Sequence, residues 1–303
     1  MFINIPNNYS SMWGELIYEY NSTDDTDLVV EIQDDTTDET TGVKKFYSTS
    51  SLKLNVAPLL FESMLPEPQP LVTGISTPER GFPKISIIID SESSLSRRFT
   101  YAKEEVEPPL MLSTMPNDRL LAVSECDSIS ILLPEDGVLT ATLEGYTIEG
   151  EGSLESISTW VDSSGGAKIV TINGDDYSDS YESLKLSLYC DNTLFEQVNY
   201  TLSADEANGY RMAWISSMGS IEHYTFPVVE EVVQLSSGGT TRTLRSAYGT
   251  AQELEALSEI LFTTTLWRVN ATTYTPIELL TTELPLRQDG ALRIANFKIS
   301  DNG

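Results

Sequence analysis

Y-R-M-A-W-I-S-S-M-G-S-I-E-H-Y-T-F, Tyr210 to Phe226, is the stretch whose reading decides the fold. Tyr210, Met212 and Trp214 alternate with Arg211, Ala213 and Ile215, the period of two that gives a strand one buried face. Ser216 to Ser220 then interrupts the run with small residues and Gly219. Glycine reaches a positive φ without a Cβ clash, so a tight turn is expected there. Ile221 to Phe226 resumes as an extended aromatic segment before Pro227. The pattern is that of a β-hairpin, and the same alternation recurs in both directions along the chain.

Upstream, short strands are expected at Val138 to Leu143, Ser156 to Val161, Ala167 to Ile172, Ser183 to Tyr189 and Glu196 to Leu202. Asp162 to Gly166 and Asn173 to Ser180 supply turn residues between them. With the hairpin this makes roughly seven strands in about 95 residues, the count of an immunoglobulin-like sandwich, placed at residues 136–230. Cys126, Cys190 and Trp160 do not fall in the antibody-domain order, so the architecture is expected without that family.

A first β-sandwich domain is expected over residues 1–135. Ile17 to Glu19 and Leu28 to Ile32 read as strands around the polar loop Asn21 to Asp27, and the acidic loop Asp34 to Gly42 leads into a strand at Lys44 to Tyr47. Leu52, Leu54 and Val56 alternate, Ala57 to Met64 reads as a turn or short helix, and Ile85, Ile87 and Ile89 mark another strand. Leu120 to Val123 and Ser128 to Leu133 follow a turn at Ser113 to Pro116, with Glu125-Cys126-Asp127 as a polar corner and a domain joint at Pro134 to Gly137.

Residues 231–303 are expected to form a small α+β unit. Thr250-Ala251-Gln252-Glu253 has capping-box spacing, and Leu254, Leu257, Ile260 and Leu261 share one helical face. Strands are expected at Leu266 to Val269, Tyr274 to Leu280 and Leu292 to Ile299, the last with a bulge near Ala295-Asn296.

Composition excludes several classes of function. Lys and Arg total 18 against 46 Asp and Glu, a net charge of −28 in 303 residues. Phosphate backbones and anionic lipid surfaces are bound through Lys and Arg, so neither nucleic acid nor membrane is an expected partner. Two distant cysteines make neither a disulfide scaffold nor a zinc site, and Cys190 is expected as a buried free thiol. No secretory signal or membrane-spanning run is legible.

Each motif that could carry chemistry also has a plain structural role. His223 is the single histidine and lies on a strand between Glu222 and Tyr224, a poor setting for a general base. Asp24-Asp25-Asp27, Asp34-Asp35 and Asp175-Asp176 lack EF-hand order and are expected as solvated loop carboxylates, although a turn at Gly174-Asp175-Asp176 could hold a cation. Ser236 to Gly239 lacks the lysine of a phosphate-binding loop and reads as a hairpin tip. Tyr18, Tyr20, Trp160, Tyr177 and Tyr181 are expected in core packing rather than on a sugar platform. No catalytic, cofactor-binding or metal-binding residue is expected, and no cofactor.

The opening strand M-W-G-E-L-I-Y-E-Y (Met12 to Tyr20), the segment N-V-A-P-L-L (Asn55 to Leu60) and the crossing P-E-P-Q-P (Pro66 to Pro70) resemble virion and tail-associated structural proteins of phages and prophages of gut Bacteroidetes. The resemblance implies a non-enzymatic tail-tip or baseplate subunit, made in the host cytoplasm and located in the virion. Its partners would be copies of itself and other virion proteins, as a homo-oligomer in the assembled particle. The alternative is a cell-surface carbohydrate-binding or adhesin-like β module of a gut bacterium, which would be exported and bind glycans through exposed Trp or Tyr.

Overall fold

Alternation dominates the sequence, and strands dominate the structure: the chain is mainly β, with short helices. The computed structural model describes residues 1–36, 38–63, 65–147, 154–203, 209–233, 240–247, 249–270, 273–283, 287–289 and 292–301. The expected tip at Ser236 to Gly239 lies outside these residues, as do Met64 and Ala271. The chain divides into two compact units, residues 1–67 with 78–107, and residues 68–77 with 108–303.

In the first unit, Ile17–Asp34 is a single strand of 18 residues where two were expected. The polar stretch Asn21 to Asp27 is held in the ladder only at Asn21 and Thr26, opposite Ser51 and Thr49, and Ser22 to Asp25 bulge between them without strand partners. Glu39–Asn55 runs back beside it for 17 residues, so the expected loop to Gly42 shortens to a turn. That turn is wired rather than solvated. Buried Asp34 accepts from the Thr36 amide at 2.8 Å, and Asp35 accepts from the hydroxyls of Ser86 at 2.8 Å and Ser96.

The sheet of this unit runs in the order Phe2–Asn4, Ile17–Asp34, Lys84–Ile89, Arg97–Thr100, Ser10–Ser11, with Glu39–Asn55 on the other flank of Ile17–Asp34. Ile85, Ile87 and Ile89 are buried as their alternation requires. The helix Ala57–Ser63 begins where Asn55 Oδ1 accepts from the amides of Ala57 and Leu16 at 3.1 and 3.0 Å. It buries Leu60 completely.

The second unit contains two sheets that share a core. One runs Asp118–Ala122, Thr193–Ser203, Tyr181–Cys190, Leu139–Thr147, Leu154–Asp162; the other runs Gly74–Ser76, Ala167–Asn173, Cys126–Leu132, Leu110–Leu112. Ile129, Ile131 and Val170 of the second sheet lie in one cluster with Leu143, Leu186 and Val198 of the first. Residues 110–132 therefore belong to this sandwich, and Pro134 to Gly137 is a turn inside it, closed by Gly137 N–H on the Pro134 carbonyl at 3.0 Å. Asp191 and Asn192, both at positive φ, make the two-residue hairpin turn that matches strand twist.

The expected hairpin forms from Tyr210–Ile215 and Ile221–Phe226, pairing Tyr210 with Phe226 and Ile215 with Ile221, with Gly219 at φ 76 in its turn. It does not complete the sandwich. It joins a seven-stranded sheet in the order Ile221–Phe226, Tyr210–Ile215, Leu266–Asn270, Thr273–Leu279, Asn296–Asp301, Thr240–Arg245, Val228–Val233. Met212 and Trp214 share a core with Leu254, Leu257 and Phe297, and alternation alone cannot say which sheet an apolar face will meet. The helix Ala251–Ser258 carries both capping-box bonds between Thr250 and Glu253. The expected bulge is a break at Ala295, after which Phe297 and Ile299 are fully buried.

Gly165 sits at φ +61, and a Cβ there would overlap the backbone carbonyl of Glu135. Gly165→Ala is expected to cost about 2 kcal/mol or more through strain and overlap. Urea unfolding checks this; an unchanged midpoint would show that the turn relaxes freely.

Candidate functional site

Where the start of Cys126–Leu132 meets Ile221–Phe226, the second unit buries an unusual number of charges. Every position of Cys126–Leu132 is buried, so Asp127 is part of a core strand and not of the polar corner the sequence suggested. Its Oδ2 accepts from Arg119 Nη1 at 2.7 Å and from the Tyr200 hydroxyl at 2.9 Å. Arg119 also donates to Ser113 Oγ at 2.8 Å and the Pro116 carbonyl at 3.0 Å. Burial alone would raise the Asp127 pKa, but Arg119 and then Arg211 outweigh it and hold the carboxyl below its usual range.

Arg211 projects from the hairpin face opposite Met212 and Trp214 and reaches across to the sandwich. Its Nη1 donates to Glu125 Oε2 and Thr225 Oγ1, both at 3.0 Å, and its Nη2 to the Cys126 carbonyl. Thr225 also donates to Glu125. Glu222 accepts from the Thr114 amide at 3.0 Å and from Ser220 Oγ at 3.1 Å. Burial pushes the Glu222 carboxyl above its usual range, offset in part by Arg119.

His223 is buried, with Nε2 at 2.9 Å from the Tyr274 hydroxyl. Burial first, and Arg211 next, pull its imidazole down to about 3, so it is neutral at physiological pH. Its Nδ1 and Arg211 Nε are buried without a hydrogen-bond partner.

A cavity of about 560 Å³ lies over this seam, with Met115, Pro116, Leu120, Tyr224 and Pro227 among its apolar walls and Arg119, Asp127, Glu125, Arg211 and His223 among its polar groups, together with Asp118 and Glu253 at its margin. Chemically, the site is poor in free reactive groups. Arg119 holds Asp127 ionised and Arg211 is paired with Glu125, Asp118 accepts from Asn199 Nδ2 at 2.8 Å, Glu253 is taken up in the capping box, and the neutral imidazole faces a tyrosine. A pair of carboxyls doing acid–base work needs one to be protonated while its neighbour is ionised. The carboxyl with the raised pKa, Glu222, is held by Thr114 and Ser220 and does not line this cavity.

No protein-family model matches the chain, and no curated protein matches it.

The other residues singled out in the sequence lie apart from one another. Asp24, Asp25 and Asp27 are exposed on the long ribbon of the first unit, with Asp27 paired to Lys45 at 3.0 Å. Asp175 and Asp176 form a short 3-10 turn in which Asp176 accepts from Thr73 Oγ1 at 2.8 Å. Among the described residues no three His, Cys, Asp or Glu side chains come together as metal ligands, and no helix is long and apolar enough to cross a membrane. Cys126 and Cys190 are buried free thiols, each raised by desolvation. Tyr18 and Tyr20 are buried in the first unit, whereas Tyr177, Tyr181 and Trp160 pack on the sandwich core of the second. Arg119, Arg211, Glu125 and Asp127 escaped sequence reasoning. The available signal was scarcity: with 18 cations in the chain, each arginine amid strand residues poses the question of which acid it meets.

His223 makes the seam sensitive to acid. Its folded pKa lies below the ordinary value, so stability is unaffected above about pH 6.5 and falls by about 1.4 kcal/mol per unit below it, as the unfolded chain takes a proton the native chain refuses. Glu222 acts with the opposite sign, because its raised pKa lets the native state hold a proton as pH falls toward the ordinary carboxylate value. Comparison with His223→Gln isolates the imidazole: between pH 7 and 5.5 the native chain is expected to lose about 1 kcal/mol more than the variant in urea unfolding. Equal losses would contradict a neutral buried imidazole. In the same assay Arg119→Met is expected to cost about 3–5 kcal/mol by stranding Asp127, and adding Asp127→Leu should recover part of it.

Proposed function

We propose that this chain is a non-enzymatic structural subunit of a phage or prophage virion, in the tail-tip or baseplate region, and that it acts by assembly with copies of itself and other virion proteins. The observation that carries this reading is the 17-residue strand Glu39–Asn55, which among the described residues is paired on one side only. A typical strand has about five or six residues, and the regular stretch of this edge between its irregularities, residues 42–47, is long enough to template a partner strand. The seam of the second unit supports the same reading, since its charged groups are consumed in holding sheets together. The resemblance of the Met12 to Tyr20, Asn55 to Leu60 and Pro66 to Pro70 segments supplies the virion context.

A glycan-binding module would present a free aromatic face. Trp13 is the exposed tryptophan, but its ring is packed edge-on against Phe61 and Tyr101, with centroids at 4.6 and 5.3 Å, and Lys103 lies 5.6 Å from its centroid. That packing removes Trp13 as a free face; Tyr47 and Tyr146 are also exposed, at 72% and 41%, and Lys45 lies 4.9 Å from the Tyr47 ring centroid.

Particles purified after induction of a lysogen carrying the gene should contain the full chain in a fixed ratio to the major tail protein, measured by quantitative mass spectrometry. Particles that lack it, with the chain recovered from the cell surface, would replace this reading with the adhesin one.

A further inference from the structure

The open edge of Glu39–Asn55 has a usable stretch with a definite chemistry. The ladder with Ile17–Asp34 pairs Gly42 with Ile32 and Thr40 with Gln33, leaving Thr41 as a bulged extra residue, and Ser48 sits at φ 45. Gly42 to Tyr47 lies between these two irregularities, about the length of an ordinary strand. Val43 and Tyr47 on it are 65% and 72% exposed. Beside it lies an apolar groove of about 330 Å³, walled by Val30, Ile32, Leu54 and Val56 with Leu59 from the neighbouring helix.

Charge distinguishes this edge from the rest of the molecule. From Thr40 to Asn55 the strand holds Lys44, Lys45 and Lys53 and no Asp or Glu, in a chain where acids outnumber cations 46 to 18. Lys45 and Lys53 meet Asp27 and Glu19 across the ribbon at 3.0 and 3.7 Å, half-exposed pairs that hold little energy. Lysines commonly guard an edge against its own kind, and two copies of this edge would crowd three lysines from each. An acidic edge meets no such barrier.

Leu154–Asp162 is such an edge. Among the described residues its nine positions pair only with Leu139–Thr147; it carries Glu155 without a cation beside it, whereas its second acid, Asp162, is held by Lys168 at 3.1 Å. Leu154 and Val161 stand exposed on it at 41% and 64%. Val228–Val233 is also an acidic edge, but Glu230 there is held by Arg245 at 3.2 Å.

Resting on the assembly reading above, we propose that Gly42 to Tyr47 of one copy adds as a strand to the Leu154–Asp162 edge of a second copy, with an exposed apolar side chain of that edge in the groove beside Val43 and Leu59. The lysines select the acidic edge and reject their own. Each copy carries both edges, so the contact is heterologous and propagates to a closed ring or an open filament.

The test uses the full chain in sedimentation velocity over a concentration series, at about 50 mM and about 500 mM salt. The unmodified chain should exceed the 33.5 kDa monomer, increasingly with concentration and less at high salt. Lys44→Glu with Lys45→Glu should weaken association about tenfold or more, and Glu155→Lys should weaken it in the same direction. Mixing the two charge-reversed variants should restore it, because each then offers the other a complementary edge. Val43→Ser, which leaves charge untouched, should also weaken association. A monomer at every concentration, or a mixture that stays dissociated while both variants keep the original melting temperature, would overturn this contact. If the chain is nevertheless present in purified particles, the assembly reading stands and only this edge pairing falls; absence from particles removes the reading itself.

Discussion

The second unit depends on a pair of buried guanidinium–carboxylate contacts. Arg119 with Asp127 and Arg211 with Glu125 are each 11% exposed or less on both sides. Removing four charges from water is expensive, and mutual attraction repays the cost only where the remaining donors and acceptors are also satisfied. They largely are: Ser113, Pro116, Tyr200, Thr225 and the Cys126 carbonyl take up the surrounding valences. Arg211 crosses from the C-terminal sheet to the sandwich, and Glu222 and Glu259 fasten Thr114 from the hairpin and helix side. Apolar packing has no preferred angle, whereas a planar guanidinium fork accepts one. The seam therefore fixes how the two cores of this unit meet.

This same commitment limits the chemistry of the cavity above it. A reactive group must be able to change its proton or its partner during a turnover. Here each arginine neutralises a particular acid, and the imidazole is neutral because protonation would place a further cation beside Arg211 in a desolvated site. The free energy in these contacts is spent on position.

Much of the architecture was legible because period-two alternation is a local property. Ile85, Ile87 and Ile89, the 210–226 hairpin and the Thr250–Glu253 box appear where their residues place them. What alternation cannot encode is partnership. Met212 and Trp214 announce a buried face but not whether Leu186 or Phe297 will cover it, and so the hairpin was credited to the wrong sheet. The Asn21 to Asp27 and Asp34 to Gly42 stretches read as loops because they lack apolar residues. Backbone pairing resumes past both without them: Asn21 and Thr26 stay paired around the bulge of Ser22 to Asp25, and Gln33 and Asp34 pair with Thr40 and Glu39. The seam was least legible of all, since its members lie between Ser113 and Tyr274 and meet only through tertiary packing.

Net charge and local charge then act on different scales. A formal charge of −28 repels other copies at long range, but at physiological ionic strength the screening length is only about 8 Å. Two molecules approaching to strand-pairing distance respond to the few side chains within that radius. An edge holding Lys44 and Lys45 without an acid of its own is attractive on that scale to the acidic surface that dominates the rest of the chain. The long-range term slows indiscriminate encounter, and the short-range term chooses among the encounters that occur. An acidic chain with one basic edge can thus stay dispersed while favouring a single orientation of contact, which a chain of mixed and evenly spread charge could not do.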